Sequence, residues 1–271
     1  MDNYLLSAAI GDICGSIYEF DIPTKDYNAV DLLHPRHYYT DDTVCTFAVA
    51  EALLYNLDIA QTLRDRCRED LYRGYGGQFL HWLIADNIEP PYNSYGNGSA
   101  MRVSAAGFMA KDEQECISLA TKTAIVTHNH PEGIKGAVAT ALVIFYAIHG
   151  KDKEFIRNNV LKKYYPDWKT LSYSEIKKDY YFDETCQCTV PAAIISFLES
   201  NSYEDCLKLA ISLGGDADTL GAIAGPMAYA FFKHIPQEFI DNAVQILPAW
   251  MLDLSYAFDK FVNTRHEKEM K

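Results

Sequence analysis

The chain has 271 residues, 49% hydrophobic and 23% charged, with a formal net charge of −13 at pH 7. That composition is ordinary for a globular protein and supplies a core without help from disulfides. The acidic balance argues against a broad grip on nucleic-acid phosphates, which rests on Lys and Arg, although it leaves a local basic groove open.

The predicted elements are helical almost throughout. Residues 4–20 are apolar at helical spacing, with the small residues Ala8, Gly11 and Gly15 on or near one face. Asp12 within this helix is expected to make an internal hydrogen bond. Glu19, close to its end, is either a solvated charge or a site residue. A loop over 22–39 leads to a strong helix at 43–55, with Asp41 or Asp42 as its N-cap. Helices follow at 60–72 and 79–86, separated by a turn at 74–78. In Ser94-Tyr95-Gly96-Asn97-Gly98-Ser99-Ala100-Met101-Arg102, glycines alternate with small polar residues and run into a helix predicted at 99–108. Such a loop either presents N–H groups to a phosphate or is a tight turn capped by Ser. Arg102 is expected to pair with an acid or to touch phosphate.

A helix over 112–126 precedes Thr127-His128-Asn129-His130-Pro131-Glu132, where Pro131 marks the start of a helix at 131–148. The two histidines read as weak zinc ligands or as groups that hold a sugar phosphate. A helix at 153–164 lies within the lysine- and aromatic-rich stretch 151–178, which is a solvated face or a single-strand contact. Residues 165–188 read as loop, and Cys186-Gln-Cys188 lacks the second cysteine pair that a metal site needs. Helices at 189–199, 203–213, 220–232, 237–247 and 250–265 complete the chain. Gly221 and Gly225 weaken an apolar helix by about 1 kcal/mol each relative to Ala. They are expected where another backbone approaches, which puts that helix at the centre and carries Asp216 and Asp218 inward. With alternating strand patterns nearly absent, the expectation is an all-α fold, a compact orthogonal helix bundle in a single domain spanning 1–271.

Seven scattered cysteines read as reduced thiols in a cytoplasm. The N-terminus lacks the positive region of a signal peptide, and no apolar run is read as a bilayer span. A monomer without a membrane or nucleic-acid partner is expected.

Two acidic clusters, Thr40-Asp41-Asp42-Thr43 and Gly214-Gly215-Asp216-Ala217-Asp218-Thr219, carry the chemistry. Each offers two carboxylates with flanking hydroxyls at the start of an apolar helix. Hard oxygens with no His or Cys suit Mg²⁺ or Mn²⁺. If the fold joins the clusters, the centre holds two ions. If it does not, the aspartates are separate helix caps.

In their order along the chain, Gly11-Asp12…Gly15…Glu19, Thr40-Asp41-Asp42-Thr43, Gly96-Asn97-Gly98-Ser99-Ala100-Met101-Arg102, Thr127-His128-Asn129-His130-Pro131-Glu132 and Gly214-Gly215-Asp216-Ala217-Asp218-Thr219 resemble the ADP-ribosylglycohydrolase family. Tyr181-Phe182-Asp183…Cys186…Val190-Pro191 looks like its bacterial branch, that of the dinitrogenase-reductase-activating glycohydrolase. Cys188 departs from the small residue the pattern leads one to expect. The resemblance implies a binuclear Mg²⁺ or Mn²⁺ centre held by Thr40, Asp41, Asp42, Asp216, Asp218 and Thr219. It implies Glu19 beside the scissile bond, ADP-ribose phosphates at Asn97, Gly98 and Ser99, and a substrate-facing His128.

The reaction so implied is hydrolysis at C1″ of the distal ribose in an ADP-ribosylated protein or small molecule, arginine-linked first. Asp42 or a metal-bound water, with Glu19 nearby, would serve as acid or base. O-linked ADP-ribose on serine or a small metabolite is the near rival. A non-catalytic ADP-ribose-binding module and a di-metal nucleotide phosphohydrolase are the readings from other classes.

Overall fold

Small residues decide the centre of the molecule. In the computed structural model, which describes residues 2–269, the Tyr4–Glu19 helix lies directly along the Ala217–Phe232 helix. A methyl group added at Gly11 would land on the Gly221 carbonyl, and one added at Gly221 would land on Gly11. Close backbone contact offsets the low helix propensity of these glycines. Every residue of the first helix except Glu19 is buried, as expected of a helix that is apolar all round.

The Pro131–Ile148, Cys186–Glu199 and Tyr203–Ile211 helices surround Ala217–Phe232. Asp41–Tyr55, Gln237–Ile246 and Ala249–Glu269 pack on the first helix. One hydrophobic cluster runs from Tyr4 to Val262. Among the described residues there is no β-strand, only an isolated bridge between Gly96 and Thr185. The all-α expectation holds.

Several element boundaries differ from the sequence reading. The predicted 60–72 helix is Ile59–Arg68. The predicted 99–108 helix is two pieces, Gly98–Met101 and Ser104–Met109. It breaks at Arg102, whose guanidinium turns inward to the Thr123 carbonyl and the Thr127 hydroxyl. The predicted 165–188 loop contains a helix, Tyr173–Asp179, opened by a reciprocal capping box between Ser172 and Glu175. The Pro131–Ile148 helix, contrary to the reading that no run could span a bilayer, is long and apolar enough by length and composition to do so. With 72% of it buried inside the protein, it acts here as a core helix.

Candidate active site

The first acidic cluster is shaped by a residue from another helix. Asp12 is fully buried, and its carboxylate accepts the backbone N–H groups of Thr40 at 2.9 Å and Thr43 at 3.1 Å. It also accepts both threonine hydroxyls, that of Thr40 at 2.8 Å. Thr40 is the N-cap of the Asp41–Tyr55 helix and accepts from the Asp42 N–H at 3.3 Å. This corrects the expectation that Asp41 or Asp42 caps the helix. The orphan N–H groups are already satisfied by Asp12, Thr40 and the Arg73 carbonyl, so both aspartates are free for other work.

The second cluster behaves in the same way. Asp216 occupies the N-cap position of Ala217–Phe232, yet its side chain makes no cap hydrogen bond. It accepts instead from Asn97 Nδ2 at 2.7 Å. The reading of these aspartates as simple caps is therefore excluded by their partners.

The two clusters meet. Glu19, Thr40, Asp41, Asp42, Asp216, Asp218 and Thr219 all line one cavity of about 500 Å³. Oxygens of Glu19, Asp216 and Asp218 lie within 4.8 Å of one another. Burial, reinforced by the Asp216 charge, pushes the Glu19 carboxyl up to about 8. Burial with Asp12 and Asp216 nearby does the same to Asp41, also to about 8. Asp42 and Asp218 are held well above the usual carboxylate range, first by burial and then by their acidic neighbours. At an effective dielectric of 20, two unit charges 4 Å apart repel by about 4 kcal/mol. Such a cluster keeps protons or takes up cations. The residues fit divalent cations: every donor is a hard oxygen, and Asp42 Oδ1 is buried without a hydrogen-bond partner among the described residues.

Beside the acids runs the glycine loop. It is tied to the 183–186 segment by Asn97 N–H to the Glu184 carbonyl at 2.8 Å and Cys186 N–H to the Tyr95 carbonyl at 3.0 Å. Gly96, Asn97, Gly98 and His128 line the cavity. A side chain at Gly98 would crowd His128, with a Cβ only 3.1 Å from Nε2. Asn97 spends its amide on Asp216 and on Thr189 Oγ1, so it positions an acid as well as shaping the loop. Ser99 is fully buried off the cavity wall, its hydroxyl donating to the Gly133 carbonyl at 2.7 Å. Its side chain anchors the loop from behind.

Against this geometry stand the comparisons. The ADP-ribosylglycohydrolase family model matches residues 3–267. The chain belongs to the ADP-ribosylglycohydrolase family. It is an enzyme of that class. It is 26% identical over 313 residues to ADP-ribosylhydrolase ARH3 of Mus musculus, covering 87% of this chain and 85% of the relative. It is 24% identical to ADP-ribosylarginine hydrolase Tri1 of Pseudomonas putida (strain GB-1), covering 88% and 72%. It is 25% identical to ADP-ribosyl-[dinitrogen reductase] glycohydrolase of Rhodospirillum rubrum, covering 84% and 83%. Among solved structures, an ADP-ribosylglycohydrolase-related protein complex superposes with a TM-score of 0.71 over 96% of each chain at 23% identity, a likeness of fold.

In this ADP-ribosylglycohydrolase, the paired histidines divide their tasks. His130 caps the Pro131–Ile148 helix, accepting the Glu132 N–H at 3.1 Å, while His128 faces the cavity. They do not form a zinc pair. Cys186 is buried between Gly96 and Ser99, whereas Cys188 is partly exposed, so they do not form a metal pair either.

Arg102 pairs with no acid among the described residues. Sequence reasoning missed Glu184, which lines the cavity and is raised by burial and by Asp216. Its segment read as loop, with a resemblance in the residues around it but none carried by Glu184, and the pairing of Gly96 with Thr185 that brings it to the wall leaves no local signal. Tyr38, Arg73 and Phe20 at the cavity were missed as well, since no local pattern in a loop or at a helix end tells which cavity it will border.

Proposed function

We propose that the protein hydrolyses the C1″ glycosidic bond of ADP-ribosylated targets, arginine-linked in the first instance, with release of ADP-ribose. The observation that carries this reading is the convergence of Glu19, Asp41, Asp42, Asp216 and Asp218 on one cavity that the Gly96–Gly98 loop also lines. An ADP-ribose conjugate has the matching polarity. Its distal ribose, with vicinal hydroxyls and a reacting C1″, suits the clustered acids. Its diphosphate suits a glycine-rich backbone and His128.

Thr40, Asp41, Asp42, Asp216, Asp218 and Thr219 are the proposed ligands of two divalent cations, Mg²⁺ or Mn²⁺. When bound, such ions neutralise the carboxylates and polarise sugar hydroxyls and water. The remaining work falls to the chain's own side chains. Asn97 holds Asp216 in place. The carboxylates outside that ligand set, Glu19 and Glu184, stabilise the positive charge that develops on ribose as the bond breaks. Glu19 is half-buried in the cavity lining, and its carboxyl is pushed up to about 8 before cations compete. Its carboxyl is the proposed group that exchanges a proton with the leaving group or the incoming water, with Asp42 as the alternative.

The preference for arginine rests on two supports. A relative of similar identity is named for ADP-ribosylarginine. Phe20 also lines the cavity together with the acidic Glu19 and Glu184, and its exposed ring packs against Phe182 at 5.6 Å. Aromatic faces with nearby carboxylates suit a guanidinium. The proposed setting is a reducing cytoplasm, supported by free thiols that are all buried except Cys188, and the proposed form is a single-domain monomer.

The test is incubation with ADP-ribosyl-arginine, ADP-ribosyl-serine and free ADP-ribose, each with Mg²⁺ and with Mn²⁺. Intact ADP-ribose released fastest from the arginine conjugate supports the reading. Release of AMP identifies a phosphohydrolase, and binding without turnover of any conjugate identifies a binding module.

A further inference from the structure

Arg102 is a buried cation without a counter-ion among the described residues. It is 1% exposed, lines the cavity, and its Nε has no hydrogen-bond partner. A guanidinium stays charged in proteins, and an unpaired buried charge is costly. Its position therefore calls for a compensating role. One of its nitrogens donates to the Thr123 carbonyl at 3.1 Å and to Thr127 Oγ1 at 2.8 Å. Thr127 Oγ1 in turn lies 2.8 Å from His128 Nδ1. The other ring nitrogen, Nε2, faces the glycine loop, beside Gly98 and Gly96.

The chemistry of each group sets the direction of this chain. Guanidinium only donates, so Thr127 Oγ1 accepts from Arg102. The threonine hydrogen is then available to Nδ1, which accepts in the arrangement proposed below, with the Tyr92 hydroxyl as its one competing partner nearby. The ring proton is left on Nε2. The reverse tautomer would put two donors, one of them cationic, on a single hydroxyl oxygen. It would also turn a lone pair toward the loop where an anion is to bind. Burial and the nearby Arg102 charge hold His128 well below its ordinary range, which keeps the ring neutral. The ring is enclosed on its other side by Tyr92, with centroids 6.2 Å apart.

We propose that Arg102 and Thr127 are positioning residues that fix His128 as a neutral, Nε2-protonated donor aimed at the phosphate oxygens of the bound nucleotide. The positive end of the relay also brings charge to the loop without spending a direct Arg–phosphate contact. The inference rests on the reading of this cavity as an ADP-ribose site. It adds to that reading two residues, one of them outside the cavity wall, and a defined hydrogen-bond direction.

The deciding measurement is ¹⁵N NMR of histidine-labelled protein without ligand, with the His128 signal among the eight histidines assigned through His128→Gln. A pyrrole-type Nε2 and a pyridine-type Nδ1 are expected. A protonated Nδ1, or an imidazolium at pH 7, overturns the relay whatever the enzyme's substrate. Thr127→Val, close in shape, is expected to lose the tautomer preference and to weaken ADP-ribose binding about ten-fold, with adenosine, which lacks phosphate, affected less. Thr127→Ser is expected to restore both. Equal losses for ADP-ribose and adenosine overturn the phosphate assignment. An Nε2-protonated His128 in a protein that binds no ADP-ribose overturns the ligand and the proposed function, while the relay itself stands. If Thr127→Val fails to fold, the wild-type spectrum still decides.

Discussion

Asp12 grips Thr40 twice, through the backbone N–H at 2.9 Å and through the hydroxyl at 2.8 Å. A carboxylate on the first helix thereby caps the helix that presents Asp41 and Asp42. The joint between two helices and the geometry of the acidic site are one structure. Asp12→Ala should cost about 3 kcal/mol, since it strands buried N–H groups of Thr40 and Thr43. Urea unfolding checks this. A midpoint equal to the wild type would mean that Asp12 does not hold the helix start.

The converging carboxylates predict a cation-dependent stability. Adding Mg²⁺ or Mn²⁺ at a hundred times its dissociation constant should stabilise the fold by about 2.7 kcal/mol, a rise in Tm of about 5–10 °C. Chelator should reverse it. Asp218→Asn should remove most of that shift and lower turnover by about 100-fold or more. A variant that keeps both the shift and the activity would show that Asp218 is not part of the centre.

The backbone contact between Gly11 and Gly221 leaves no room for a methyl. Gly11→Ala should destabilise by about 3 kcal/mol or more, because the two helices must move apart along their length. Gly77→Ala, where an added Cβ meets nothing within 4 Å, is the control and should be near neutral. Comparable losses in both variants would remove the close-packing explanation.

Asp259 supplies a pH test away from the site. It accepts the Tyr4 N–H at 3.3 Å, and burial, with help from Asp2, pushes its carboxyl from 3.8 up to about 8. An acid whose folded pKa is raised binds its proton more tightly in the folded state. Its contribution is full below about pH 4 and is lost as pH rises toward and through about 8. Asp259→Asn keeps an acceptor for Tyr4 and carries no charge. It should therefore gain thermal stability over the wild type at pH 9 and little at pH 5. A gain that is larger at pH 5 would reverse the sign and refute the assignment.

Much of the fold was legible because apolar residues recur at helical spacing, and Gly221 and Gly225 mark the central helix in the sequence itself. The Thr-Asp-Asp-Thr and Asp-Ala-Asp-Thr clusters were legible as hard-oxygen sets for the same local reason. The Ser172–Glu175 capping box was also present in the sequence, hidden inside a stretch read as loop. The break after Met101 was not legible, because it depends on where a buried guanidinium finds acceptors in another helix. Nor was the split between His128 and His130, two residues apart, since one ring meets a helix start and the other meets a cavity.

By itself the sequence determined the secondary structure class, the donor chemistry of the site and the order of the motifs, because these follow from side-chain type and local spacing. Only the tertiary structure decided which groups cap and which stay free, that Ser99 turns away while Glu184 turns in, and that Arg102 reaches His128 through Thr127. Those outcomes depend on partners distant in sequence, whose distances are set when the helices pack.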